Sequence, residues 1–209
     1  MLSGSELASR TSQFAHSMRR FTTRPSGLML FGPPSDEPWH LTAHIDDEVT
    51  RAGLPDLRPA LVRWAPPADA PPHLRIGLDR LRDVGRGESL VVVSEVRPDS
   101  ALLERVHDVR RRGATVFSID NGDTDLAGLS HESLVPGLLV PSSFGNGWTV
   151  HQPGFEVDAE GIDQHGLVAG FEMTQHLVSV AVADDDISPS GWRARLRRFI
   201  ERVGGDTKE

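Results

Sequence analysis

The run Ser89-Leu-Val-Val-Val-Ser94 constrains this chain most. It has the length of a strand and no polar residue between its two serines. A strand with one face in water alternates apolar and polar residues, whereas a continuous apolar run suits a strand covered on both faces. The residues after it fit a buried strand of this kind. Pro98-Asp99-Ser100 opens a helix with a capping side chain, and Leu102, Leu103, Val106 and Val109 line its buried stripe. Arg110, Arg111 and Arg112 sit in its last turn, where cations complement the helix dipole, and Gly113 stops it. Ala114 to Ile119 reads as the next strand, Leu126 to His131 as a short helix, and Ser133 to Leu138 as an edge strand. Strand, helix, strand, helix, strand predicts a parallel sheet with right-handed crossovers, an α/β three-layer sandwich.

The flanks are less regular. Leu61 to Trp64 reads as a short strand, and a stiff Pro-rich loop covers Ala65 to Pro72. Leu74, Leu78 and Leu81 predict a helix over 73–84. Residues 1–58 form an N-terminal segment packed on the core, with a polar helix over 5–18. Trp39 to Ile45 alternates like a strand, yet Leu41, Ile45 and Val49 also fit a helix. Residues 59–209 make the main α/β domain, with a helical carboxyl third. Gly161 to Ala183 is a strongly apolar helix suited to the sheet or to a second subunit. Ser188-Pro189 starts an amphipathic one carrying Arg193, Arg195, Arg197 and Arg198.

Composition narrows the chemistry. The chain has 209 residues, no cysteine and no tyrosine, and its one lysine is Lys208. Disulfides, thiolate metal sites, cysteine nucleophiles and iron–sulfur clusters are excluded. Schiff-base and P-loop lysine chemistry have no central lysine to use. A net charge of −8 argues against nucleic acid as a partner. There is no membrane-length apolar run and no signal-peptide core over residues 1–20, so a cytoplasmic location is expected.

Residues 88–138 resemble the sugar isomerase (SIS) domain family. The resemblance rests on Ser89 to Ser94, on Arg112-Gly-Ala-Thr-Val116, on Leu126-Ala-Gly-Leu129 and on Leu134-Val-Pro-Gly137, in the family's order and spacing. It implies a five-stranded parallel sheet, a homodimer and a sugar-phosphate or related anionic ligand, with no cofactor and no metal. The family's phosphate loop reads roughly Ser-x-Ser-Gly-x-Thr. Here the loop is Ser94-Glu-Val-Arg-Pro-Asp-Ser100. Ser94 matches the first serine and Ser100 approximates the last hydroxyl, while Arg97 supplies a cation. Glu95 and Asp99 repel a phosphate dianion, and Pro98 lacks an N–H. The loop is therefore expected to bind phosphate poorly or to have changed ligand. Ser142 and Ser143, in a Ser-Ser-Phe-Gly-Asn-Gly run, are a further candidate anion cradle.

Glu172 and His176 lie four residues apart on the apolar helix and so share a face. A Glu/His couple can shuttle a proton between adjacent sugar carbons, which makes them the candidate catalytic pair. The leading expectation is a non-catalytic or diverged SIS-like module that binds a carbohydrate derivative or a protein partner as a dimer. The alternative is a sugar-phosphate isomerase with an altered loop. A more remote one comes from Ala43-His-Ile-Asp-Asp-Glu48, which is similar to the motif of zinc-dependent sugar de-N-acetylases. That resemblance would make His44 and Asp47 ligands and Asp46 the base. Asp120-Asn-Gly-Asp-Thr-Asp125 has the flavour of a calcium loop, but His131 occupies its twelfth position, and a post-strand turn explains the Asn-Gly.

Overall fold

The computed structural model describes residues 4–136, 138–141, 148–151 and 171–183. Five parallel strands form one sheet: β1 (Leu28–Phe31), β2 (Ala60–Leu61), β3 (Ser89–Ser94), β4 (Thr115–Asp120) and β5 (Glu132–Leu134), in the order β2-β1-β3-β4-β5. β3 is paired on both sides, over its first four residues with β1 and over all six with β4. Leu28 to Phe31 match Ser89 to Val92 on one side, and Ser89 to Ser94 match Thr115 to Asp120 on the other. All six residues of β3 are buried, as a strand covered on both faces requires.

Two apolar layers sandwich the sheet, and strand alternation sorts the residues between them. Leu28, Leu30, Val91, Val93, Phe117 and Ile119 face one cluster. Helices α1 (Gly4–Phe21), α2 (Trp39–Arg51) and α6 (Phe171–Val182) cover that face. Met29, Phe31, Leu90, Val92 and Val116 face the other. Helices α3 (Asp79–Arg82), α4 (Ser100–Arg111) and α5 (Thr124–Leu129) close that side. The fold is thus the three-layer α/β sandwich expected from the sequence. A separate antiparallel pair joins β6 (Leu138–Pro141) to β7 (Trp148–His151).

Helix α4 begins and ends as its residues dictate. Asp99 accepts from the Leu102 N–H at 2.8 Å, and Gly113 turns the chain at φ +92°, a region that glycine enters without strain. Two local readings change, and the one left open at 39–45 is decided. Residues 28–31 are a strand between β2 and β3, so the N-terminal segment supplies part of the sheet itself as well as two helices over it. Trp39 to Ile45 is helical, and Leu41, Ile45 and Val49 are its buried stripe. The helix expected over 73–84 is a 3-10 turn at Pro72–Leu74 followed by the four-residue α3. Between them Gly77 bridges to Arg63 in parallel fashion, which holds that stretch extended and leaves Leu74 exposed.

Helix α6 buries Phe171, Val178, Ala181 and Val182 in the core shared with α1 and α2. The Arg193 to Arg198 helix, Ser142, Ser143 and residues 161–170 lie outside the described residues. Among the described residues, no helix is long and apolar enough to cross a membrane.

Candidate functional site

Strand order reverses between β1 and β3, and in open α/β sheets ligands bind beyond the carboxyl ends of the strands at that point. Three loops meet there: 32–38 after β1, 95–99 after β3 and 121–123 after β4.

The first loop is tied down from both sides. The Gly32 carbonyl accepts from Trp64 Nε1 at 2.7 Å. Glu37 accepts from Arg63 Nε at 2.6 Å and from the Trp64 N–H at 3.0 Å. Gly32 lies so close to β3 that a Cβ there would sit 2.8 Å from the Val93 carbonyl oxygen.

The second loop spends its polar groups on the protein. Ser94 is buried, and its hydroxyl donates to the Val96 carbonyl at 2.7 Å. Asp99 caps α4, and Asn121 Nδ2 donates to the Glu95 carbonyl at 2.7 Å. Arg97 turns toward the next loop, 3.5 Å from Asp125 and 3.8 Å from Asp123. Ser100 is exposed in the first turn of α4. Ser94, Arg97 and Ser100 thus lie on one loop and helix start, with the cation matched to two carboxylates.

In the third loop Asp120 ends β4 beside Ser94. Its Oδ1 accepts from the Gly122 and Asp123 N–H groups, both at 2.8 Å, while its Oδ2 is buried without a partner. This turn use explains the run that has a calcium-loop flavour. In the sequence Asp120 stands only as the first residue of that run, and its buried place at the strand end comes from the fold. Its signal is a carboxylate closing an otherwise apolar strand.

Glu172 and His176 sit on α6, on the face of the sheet opposite α4. Glu172 is exposed. His176 meets His44 of α2, with ring centroids 4.9 Å apart at 88°. The rest of the zinc-like motif is engaged along α2. Asp46 takes Arg58 in a two-pronged ion pair at 2.7 and 3.0 Å, and this hydrogen bond and charge raise the Arg58 pKa further. Asp47 and Glu48 pair with Arg51 at 3.6 and 2.6 Å. Among the described residues, no three His, Asp or Glu side chains converge on a common metal position.

No protein-family model matches the chain, and no curated protein sequence matches it. Solved structures do. A candidate phosphosugar isomerase from Silicibacter pomeroyi is similar over 94% of this chain and 49% of its own, at 15% identity and a TM-score of 0.51. The fold is SIS-like. The SIS-like chain spans about half the length of that protein. The sugar isomerase domain of the RpiR transcription factor from Sphaerobacter thermophilus matches over 91% of this chain and 86% of its own, at 11% identity and TM-score 0.48. The Vibrio vulnificus NanR protein, complexed with ManNAc-6P, matches over 91% and 60%, at 12% identity and TM-score 0.43.

Proposed function

We propose that this SIS-like chain is a non-catalytic module that binds a carbohydrate derivative in the crevice between β1 and β3. Its crevice recognises hydroxyl or amino groups rather than a phosphate dianion. The observation that carries this reading is the engagement of Arg97 by Asp123 and Asp125, beside a Ser94 hydroxyl already committed to Val96. The carboxylates of Glu95 and Asp99 add further repulsion for an anion. Sugar hydroxyls and ammonium groups are donors, and Asp120 places a buried carboxylate with an unpartnered Oδ2 beneath the same strand ends. We also propose a homodimer. It would use a surface other than the apolar face of α6, which is buried within the chain.

The test is a thermal-shift panel of glucose, N-acetylglucosamine and glucosamine beside their 6-phosphates. A ligand at ten times its Kd stabilises by about 1.4 kcal/mol. In a chain of this length that moves Tm by roughly 3–6 °C. The expected result is a shift with an unphosphorylated sugar that Asp120→Asn abolishes. A phosphate-dependent shift lost in Arg97→Gln overturns the crevice assignment. Isomerase turnover lost in Glu172→Gln or His176→Ala refutes the non-catalytic reading. Light scattering coupled to size exclusion reads the dimer.

A further inference from the structure

A second cluster of charge lies away from the crevice, on the layer of α3 and α4. A shallow cleft, partly open to solvent, is lined by Leu78, Leu81, Arg82, Arg105, Asp108 and Arg112. Arg105, Asp108 and Arg112 follow one another at helical spacing of three and four, so one face of α4 presents them together. Leu81 is buried and forms an apolar floor beside Leu78.

The cations outnumber their partners. Arg82 pairs with Asp79 at 2.5 Å, and both side chains are largely exposed. Among the described residues, neither Arg105 nor Arg112 has an ion pair or a side-chain hydrogen bond. Arg105 Nε is shut off from solvent as well. A guanidinium stays charged at any physiological pH, so this N–H cannot be neutralised by losing its proton. Buried donors without acceptors are rare in folded proteins, and each asks for an explanation. Asp108 offers one carboxylate against three guanidinium groups, and it forms no ion pair with Arg105 or Arg112.

We infer that the cleft between α3 and α4 is a phosphate-binding site, separate from the crevice at the strand ends. Guanidinium forks match phosphate oxygens in two-pronged hydrogen bonds, which suits Arg rather than Lys. Arg105 lines the cleft from α4, Arg112 closes it from the end of that helix, and Arg82 contributes from α3. The apolar floor accepts the organic part of a phosphate ester. The site does not depend on the crevice reading, since no crevice residue lines it.

The experiment titrates inorganic phosphate and glucose 6-phosphate into the full chain, following Tm and heat of binding against sodium chloride at equal ionic strength. Saturable binding is expected in the parent and in Arg97→Gln. It should weaken about tenfold or more in Arg105→Gln, as loss of one charge-assisted contact implies. Arg112→Gln is an exposed second variant that tests the site should Arg105→Gln fail to fold, and it should weaken binding in the same direction. Asp108→Asn should tighten it. Tighter binding of glucose 6-phosphate than of inorganic phosphate assigns a sugar ester, and equal binding assigns free phosphate. A shift reproduced by chloride overturns the proposal. So does binding lost in Arg97→Gln while retained in Arg105→Gln and Arg112→Gln.

Discussion

Replacing Gly32 by alanine tests whether the crevice walls are as close as they stand. The added Cβ would lie 2.8 Å from the Asp36 carbonyl oxygen, 2.8 Å from the Val93 carbonyl oxygen and 2.9 Å from Pro38 Cδ. Ordinary van der Waals contact begins near 3.5 Å, so each overlap must be relieved by movement. Neither oxygen can move cheaply. Val93 sits in the central strand, paired with Ile119 of β4, and the 32–38 loop is held by Trp64 and Glu37. Overpacking costs about 1–3 kcal/mol, and two backbone obstacles put this site near the upper end. A loss of ~3 kcal/mol lowers Tm by roughly 6–12 °C in a chain of this size. The same chemical change at Gly128 meets nothing within 4 Å. There, in the last turn of α5, alanine should stabilise by a few tenths to ~1 kcal/mol through helix propensity. Urea denaturation of both variants, with the slope m held constant, measures the difference. A Gly32→Ala protein within half a kcal/mol of the parent would refute the close approach of the 32–38 loop to β3.

Three further outcomes rest on single contacts. Glu88 is buried, accepts from Arg80 and from the Gly85 N–H, and lies 3.7 Å from Arg24. Glu88→Ala should cost about 3–5 kcal/mol in chemical denaturation, because it strands the half-buried Arg80, and a loss under 1 kcal/mol would contradict that role. Trp64→Phe removes the donor to Gly32 while keeping a ring against Phe31, now stacked at 5.2 Å. It should cost about 1–2 kcal/mol, and unchanged stability would show that the Gly32 carbonyl finds water instead. Asp99→Ala should lose about 1 kcal/mol as an N-cap, with Asp99→Ser recovering most of it. A serine variant as unstable as the alanine one would mean that Asp99 acts by charge rather than by capping.

Why some elements are legible in the sequence and others are not is a matter of length and competition. β3 carries its own signal, because four consecutive apolar residues between Ser89 and Ser94 need cover on both faces. β1 has only four residues between Gly27 and Gly32, too short to display a period, and it becomes a strand because β2 and β3 pair with it. Leu74, Leu78 and Leu81 have helical spacing, yet the bridge from Arg63 to Gly77 and the 3-10 turn after Pro71-Pro72 win locally. The reverse happens at 39–51. Alternation and helical spacing coexist there, and burial of Leu41, Ile45 and Val49 against the sheet decides for the helix.

The crevice divides along the same line. Glu95, Asp99 and Pro98 already mark the loop as hostile to phosphate in the sequence, and Arg97 stands there as the cation able to offset them. That offset does not operate within the loop. Arg97 reaches 26 and 28 residues along the chain to Asp123 and Asp125, while Glu95 contributes its carbonyl rather than its carboxylate by accepting from Asn121. Only the parallel pairing of β3 with β4, which sets Ser94 beside Asp120, brings those groups within reach. The electrostatics of the site therefore belong to the register between two strands. Once the sheet is assembled, the cation of the β3 loop lies beside Asp123 before α5 and Asp125 in its first turn. On the function proposed above, the crevice is left to ligands that bring donors of their own.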